Sequence, residues 1–328
     1  MDMSLFFAGT GGSVPSARRG LPALLVRRGG DSLLFDCGEG TQRQLIRSVG
    51  LGDIDSVFIT HFHADHWLGL PGMLKSFSLR EREAPLSIYG PPGLGALMEQ
   101  MRFVYGRPKY ELQIRELEPT EAVERADYRV AAIPVSHGER VAYGYALVED
   151  QRPGHLDPEL AERLGVHPGP DFGRLQRGET VEGVSPEQVL GSPRPGRKLV
   201  LSGDTRPCEA LAVAAREADL LVHEATFAEP EGARALETSH STAREAAELA
   251  READVRMLAL THVSSRYAGG ELRDEARAVF AQTEIPRDLD TVEIPFPERG
   301  APHLVRWSER SAREAQASET AEEPVATG

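Results

Sequence analysis

The chain of 328 residues, 40% hydrophobic and 27% charged, can form one large or two ordinary domains with a substantial buried core. No window approaches the roughly 18 consecutive apolar residues of a membrane span, and MDMSLFFAGTGG lacks the make-up of a signal peptide, so a cytoplasmic globular protein is expected. A formal charge of −14 argues against general nucleic-acid binding, because phosphate affinity comes from Lys and Arg, but it leaves room for a local basic site.

Short β-rich runs alternate with helical patterns along most of the chain. Strands are predicted at 3–7, 22–26, 32–36, 55–60, 86–90, 128–135, 143–148, 198–202, 219–224, 257–262 and 303–307. Helices are predicted near 39–49, 67–80, 93–104, 207–217, 242–253 and 270–282. In the helix at 242–253, Thr242 and Glu245 have capping-box spacing, and Ala243, Ala246, Ala247, Ala250 and Ala253 make one small apolar face.

Between about 150 and 197 Pro and Gly recur and apolar periodicity fades. Strand–helix alternation then resumes, which makes this stretch an insertion within one domain, 1–307, and not a linker between two. Residues 308–328 hold five Glu and two Arg with few large apolar side chains, so a disordered acidic tail is expected. Cys37 and Cys208 cannot form a disulfide framework and read as small core residues or spectators.

The strongest chemical signal is Thr60-His61-Phe62-His63-Ala64-Asp65-His66, directly after the apolar run DSVFI. His61 and His63, two apart, place both imidazoles on one side of an extended chain, while Asp65 and His66 fall on the following turn. Imidazole nitrogens and carboxylate oxygens suit zinc and similar divalent ions. His137 in PVSHG, Asp204 in LSGDT and His262 in LALTH also sit at strand ends, where they can converge on one rim of a sheet. Seven ligands exceed one tetrahedral site and suffice for two if Asp204 bridges. His61, His63 and His137 would then serve one metal, and Asp65, His66 and His262 the other.

These residues carry a resemblance. HFHADH with the later His, Asp and His is similar to the metallo-β-lactamase superfamily. The blocks FAGTGGSVP, LFDCGEGTQRQL, THFHADHWLGLPG, YGPPG, LSGDTRPC, VHEATF, SHST and THVSSRY, in that order, resemble ribonuclease Z, the tRNA 3′-processing endonuclease family. The insertion, with PGHLDPELAERLGVHPGPDFGRLQRGETV, resembles that family's arm, and the similarity runs from about residue 3 to 307. The resemblance implies an α/β, metallo-β-lactamase-type αββα four-layer sandwich with a protruding arm that binds tRNA. It also implies two zinc ions per subunit (manganese suits the same donors), a homodimer, and precursor tRNA as partner, with no DNA or membrane. The expected activity is removal of the 3′ trailer, leaving a 3′-hydroxyl on the tRNA and a 5′-phosphomonoester on the trailer. It assigns Asp65 to orienting or deprotonating the attacking water, and His240 in SHST, paired with Glu224 in HEAT, to protonating the departing oxygen. Without the resemblance, His240 reads equally well as a cap on the helix beginning near Thr242.

Two segments depart from the family pattern. Where a Pro-x-Lys-x-Arg-Asn loop is usual, this chain has Pro15-Ser16-Ala17-Arg18-Arg19-Gly20, which keeps Pro and Arg and leaves Arg18 and Arg19 as phosphate contacts. The arm from 152 to 180 has four Arg against five acids. Arg174 and Arg177, beside Gly173 and Gly178, are its candidates for gripping a folded RNA by shape. Arg266 and Tyr267 after THVSS are further candidates for RNA contact. The alternative reading is a small-molecule phosphodiesterase or sulfatase, acting on a cyclic nucleotide or aryl ester at the same metal centre. The acidic charge and altered loop favour it and the arm opposes it. A non-catalytic RNA-binding member is the third reading, opposed by the complete ligand set.

Overall fold

Two sheets lie face to face in the computed structural model, which describes residues 1–52 and 54–311. Fifteen strands build them: β1 Met3–Gly9, β2 Ala23–Arg28, β3 Asp31–Phe35, β4 Ser56–Phe58, β5 Leu86–Gly90, β6 Leu112–Glu116, β7 Ala122–Glu124, β8 Tyr128–Pro134, β9 Tyr143–Glu149, β10 Lys198–Leu201, β11 Leu220–Glu224, β12 Leu258–Thr261, β13 Thr283–Glu284, β14 Thr291–Glu293 and β15 His303–Val305. The first sheet has the order β15-β14-β1-β2-β3-β4-β5-β6 and the second β13-β12-β11-β10-β9-β8-β7.

Period-two alternation makes the layers. In β1, Leu5 and Phe7 join the core between the sheets, whereas Phe6 and Ala8 face the helices outside. Leu24 and Val26 of β2 and Leu33 and Phe35 of β3 likewise turn inward, against Tyr143, Tyr145 and Leu147 of β9 and Leu199 and Leu201 of β10. Outside the first sheet lie the helices Thr41–Ile46, Leu70–Leu79 and Leu94–Gln100. Outside the second lie Glu209–Ala215, Ala243–Glu252 and Gly270–Arg277. The alanine face of Ala243–Glu252 is wholly buried, and Thr242 caps that helix by accepting from the Glu245 N–H at 3.1 Å.

Strand direction positions the site. Strands β3 to β6 run parallel, as do β10 to β13, and the loops leaving the carboxyl ends of β4, β10, β11 and β12 carry the chemistry-bearing residues. Open α/β sheets bind ligands at this edge, where backbone leaves the ladder and side chains can converge.

Residues 152–194 leave and rejoin the second sheet through a neck, with Arg152 and Arg194 exchanging two N–H···O bonds of 2.8 Å. The segment has its own small core of Ala161, Val166, Leu175, Val181, Val184 and Val189, and three short helices, Pro158–Arg163, Pro170–Gln176 and Pro186–Val189. The neck lies beyond Glu149, the far end of β9, whereas Tyr143 at the near end bonds to the Thr60 carbonyl. The six residue-to-residue steps of β9 place the arm's root about 20 Å below the chemical edge. The expected disordered tail needs one correction: residues 307–311 are helical, closing the chain against the first sheet, and residues 312–328 lie outside the described residues.

Candidate metal centre and proton donor

His61 and His63 follow β4 in extended backbone, and the one-turn helix Ala64–Trp67 then lifts Asp65 and His66 to the same level. His61 Nε2 and His137 Nε2 lie 2.9 and 3.1 Å from His63 Nδ1, with Asp204 Oδ2 3.8 Å from His61 Nε2. On the other side of Asp204, its Oδ2 stands 3.2 Å from both His66 Nε2 and His262 Nε2, while Asp65 Oδ2 is 3.6 and 3.4 Å from them. Asp204 therefore sits between two donor sets.

Outer partners fix which nitrogens face the centre. Ser239 O accepts from His137 Nδ1 at 2.9 Å, and Asp36 Oδ2 from His66 Nδ1 at 2.7 Å, so both Nε2 atoms present lone pairs inward. Asp36 in turn accepts from the Thr60 N–H and hydroxyl. His66 Nε2 and His262 Nε2 are buried without a well-aligned hydrogen bond although Asp204 Oδ2 stands 3.2 Å from each, and two imidazole nitrogens crowd His63 Nδ1. Such an arrangement is costly unless cations are shared among the donors. The donor set fits two divalent ions.

Strain gathers around the same point. Ser13, Asp36, Ser239 and His262, none of them glycine, adopt left-handed backbone with φ of 62, 58, 60 and 54°. Gly203, at φ 59° in the turn before Asp204, has no room for a side chain, since a Cβ there would lie 2.7 Å from the Tyr143 carbonyl.

Beside the donors lies an ion pair. Glu224 Oε1 accepts from His240 Nδ1 at 2.8 Å, which decides His240 against capping: the cap is Thr242. Burial opposes the imidazolium, but the Glu224 charge and hydrogen bond, aided by Asp204, outweigh it and carry His240 up to about 9. Glu224 is fully buried and is held below the usual carboxylate range, because the charge on His240 outweighs the cost of burying it. Its second oxygen accepts from the Thr226 hydroxyl at 2.6 Å, and the same hydroxyl oxygen lies 2.8 Å from His262 Nδ1. Arg206 ties the His240 carbonyl, at 2.7 Å, to the Glu245 carboxylate at the next helix's start.

The metallo-β-lactamase superfamily model matches residues 20–262. A ribonuclease Z of Myxococcus xanthus is 49% identical over 304 residues, covering 90% of this chain and 98% of the relative, and one of Haloferax volcanii is 48% identical, covering 90% and 96%. The chain belongs to the ribonuclease Z family. Among solved structures, the short form of human tRNase Z superposes with a TM-score of 0.66 at 28% identity, covering 89% of this chain and 99% of that one. Metallo-β-lactamase architecture is thus both observed and shared, and no helix among the described residues is long and apolar enough to cross a membrane.

This family member places its basic candidates unequally. Arg18 is exposed on the loop beside the centre. The expectation for Arg19 is corrected: its guanidinium is buried, donating to Thr10 Oγ1 at 2.6 Å and the Pro286 carbonyl at 3.0 Å, and is spent on the loop itself. Arg174 and Arg177 are exposed on the arm, paired with Asp171 and Glu179. Arg266 pairs with Glu231 at 3.2 Å, and the Tyr267 hydroxyl bonds to that same carboxylate. Sequence reasoning missed Asp36, Thr226 and Arg206. All three stand inside quoted motifs, LFDCGEG, HEATF and LSGDTRPC, but nothing in their spacing marks them as partners of ligands.

Proposed function

We propose that the chain is a metal-dependent endoribonuclease that removes the 3′ trailer from tRNA precursors. The observation that carries this reading is the charged His240–Glu224 pair beside a two-ion donor set, in a chain nearly half identical to ribonucleases Z over their whole length. His61, His63, His137 and Asp204 would hold one ion, and Asp65, His66 and His262 the other, with Asp204, 3.2 Å from both His66 and His262, shared between them; zinc suits these donors best, with manganese second. When bound, the pair supplies Lewis acidity toward the scissile phosphate and an acidified water for attack.

The protein's own groups do the rest. Asp65, held by the Ser13 N–H at 2.7 Å, keeps its carboxylate aimed at the centre and orients the attacking water. With Nδ1 committed to Glu224, His240 has Nε2 free to give its proton to the departing 3′-oxygen as the P–O3′ bond breaks, leaving tRNA with a 3′-hydroxyl and the trailer with a 5′-phosphate. The arm's root, about 20 Å from this edge along β9, favours a homodimer in which each arm holds the RNA at its partner's centre. Substrate and chemistry both suit the cytoplasm.

The test is cleavage of two end-labelled precursor tRNAs, one with encoded CCA and one without, in zinc or manganese. Asp65→Ala is the control. Cutting of either that disappears in the variant is expected. No cutting, beside brisk hydrolysis of a small phosphodiester, would replace the reading with a small-molecule hydrolase.

A further inference from the structure

The loop from Thr10 to Gly20 forms a wall of the centre. Gly12 lies so close to His262 that a Cβ would fall 2.3 Å from the imidazole ring. Ser13, in left-handed backbone, aims its N–H at Asp65 Oδ2, 2.7 Å away, while residues 13–18 are exposed. A strained, exposed loop holds such a shape only if its ends are fixed. One carboxylate fixes both. Asp288 Oδ1 accepts from the Thr10 N–H at 3.1 Å and the Thr10 hydroxyl at 2.7 Å, and Oδ2 accepts from the Gly20 N–H at 2.6 Å. Oδ2 also accepts from Gln44 Nε2 at 2.7 Å, fastening the neck to the helix Thr41–Ile46. Arg19 closes the same neck from the side, through Thr10 Oγ1 and the Pro286 carbonyl.

We propose that Asp288 is a positioning residue for hydrolysis: by clamping both ends of the Thr10–Gly20 loop it keeps the Ser13 N–H on Asp65 and Gly12 against His262. It touches neither substrate nor ligand and acts through the loop. The inference rests on the role given to Asp65 above, and its test separates the two.

In Asp288→Asn the new amide turns N–H groups toward the Gly20 N–H and Gln44 Nε2, so donors face donors and the neck opens. In the metal-loaded full-length enzyme, hydrogen exchange should rise at least tenfold in peptides spanning 10–20 and stay unchanged in β8 and β9. Turnover of precursor tRNA and of bis(p-nitrophenyl) phosphate should fall together by roughly 10- to 100-fold in kcat, the scale of losing an outer-shell support, with KM for the small diester within about twofold. Gln44→Ala, which leaves both loop ends clamped, should retain kcat. If Asp288→Asn does not fold, Thr10→Val, which removes the hydroxyl's bonds to Asp288 and Arg19 but keeps the Thr10 N–H and Gly20 N–H bonds to the carboxylate, should show the same pattern to a smaller degree. Unchanged kcat despite a released loop would overturn the proposal, as would exchange rising equally throughout the molecule. Should wild-type protein hydrolyse the small diester in an Asp288-dependent way yet leave precursor tRNA uncut, the ribonuclease reading fails and the clamp stands.

Discussion

A proton donor must be charged at working pH and still lose its proton readily. In the role proposed above, His240 meets the first condition because Glu224, not solvent, stabilises its charge. Held near 9, it is fully protonated at neutral pH, and the supply of its proton fails only as pH rises through about 9. Glu224→Gln keeps the shape and removes the charge. The imidazole is then left with the penalty of burial and much less to offset it, so the alkaline limb of the kcat profile should move down toward the ordinary imidazole value of ~6.5. At pH 7 about a quarter of the imidazole then stays protonated, so a kcat loss of about 4-fold is expected there, growing about tenfold for each further pH unit up to the wild-type limb, with KM little changed. A pH–rate series on precursor tRNA decides the matter. Superimposable profiles for the two proteins would remove His240 as the acid.

At the level of elements, the candidate ligands were legible because they follow apolar strands: DSVFI before His61 and LALT before His262 announce both a strand and its exit. What was illegible has physical causes. β7, β13 and β14 have three, two and three residues, too few to establish a period. β6, Leu112–Glu116, alternates, but Gln, Arg and Glu give it poor strand propensity, and it survives as an exposed edge paired only to β5. In the arm, three of the prolines that interrupt the apolar pattern, Pro158, Pro170 and Pro186, each occupy the first turn of a helix. These helices are four to seven residues long, below the length at which a 3.6-residue period repeats usefully. Contacts across the sheets, such as Asp288 with Thr10, separate residues by 278 positions, and no local pattern encodes them. The arm carries its own prediction. Because Arg174 and Arg177 are exposed and already share Glu179, RNA must compete with that acid, and reversing both charges removes the attraction altogether. Arg174→Glu with Arg177→Glu should raise KM for precursor tRNA about tenfold or more and leave hydrolysis of a small phosphodiester unchanged. Equal losses on the two substrates would mean that the arm does not grip RNA through this pair.

Across the whole molecule, the two sheets must hold register for ligands from β4 and β10–β12 to meet, and the end of the sandwich away from those ligands is tied by charge. Glu149, at the foot of β9 in the second sheet, bonds at 2.7 Å to Arg28 at the foot of β2 in the first and, also at 2.7 Å, to Arg197 just before β10. Arg197 also donates to the Ile294 carbonyl beyond β14, at 2.9 Å. All three side chains are buried, so the cluster is costly to assemble and costlier to break: removing Glu149 strands Arg197 in a low-dielectric setting with only the Ile294 carbonyl, a loss of about 3 kcal/mol, whereas Arg28 keeps Asp127 at 2.7 and 2.9 Å. Burial raises the Glu149 carboxyl, but the bonds to Arg197 and Arg28 overcome this and hold it below the usual range. Its stabilising contribution is therefore complete above the unfolded value of ~4.3 and is lost as pH falls through the lower folded one. Glu149→Gln should accordingly lower the urea-unfolding free energy by about 3 kcal/mol or more at pH 7, with the gap from wild type narrowing below pH ~4. Protein that remains folded should keep kcat, since the change lies at the far end of β9, about 20 Å along the strand from the edge that carries the site. Loss of kcat in fully folded Glu149→Gln would show instead that the sheets' far-end register is transmitted to the ligands.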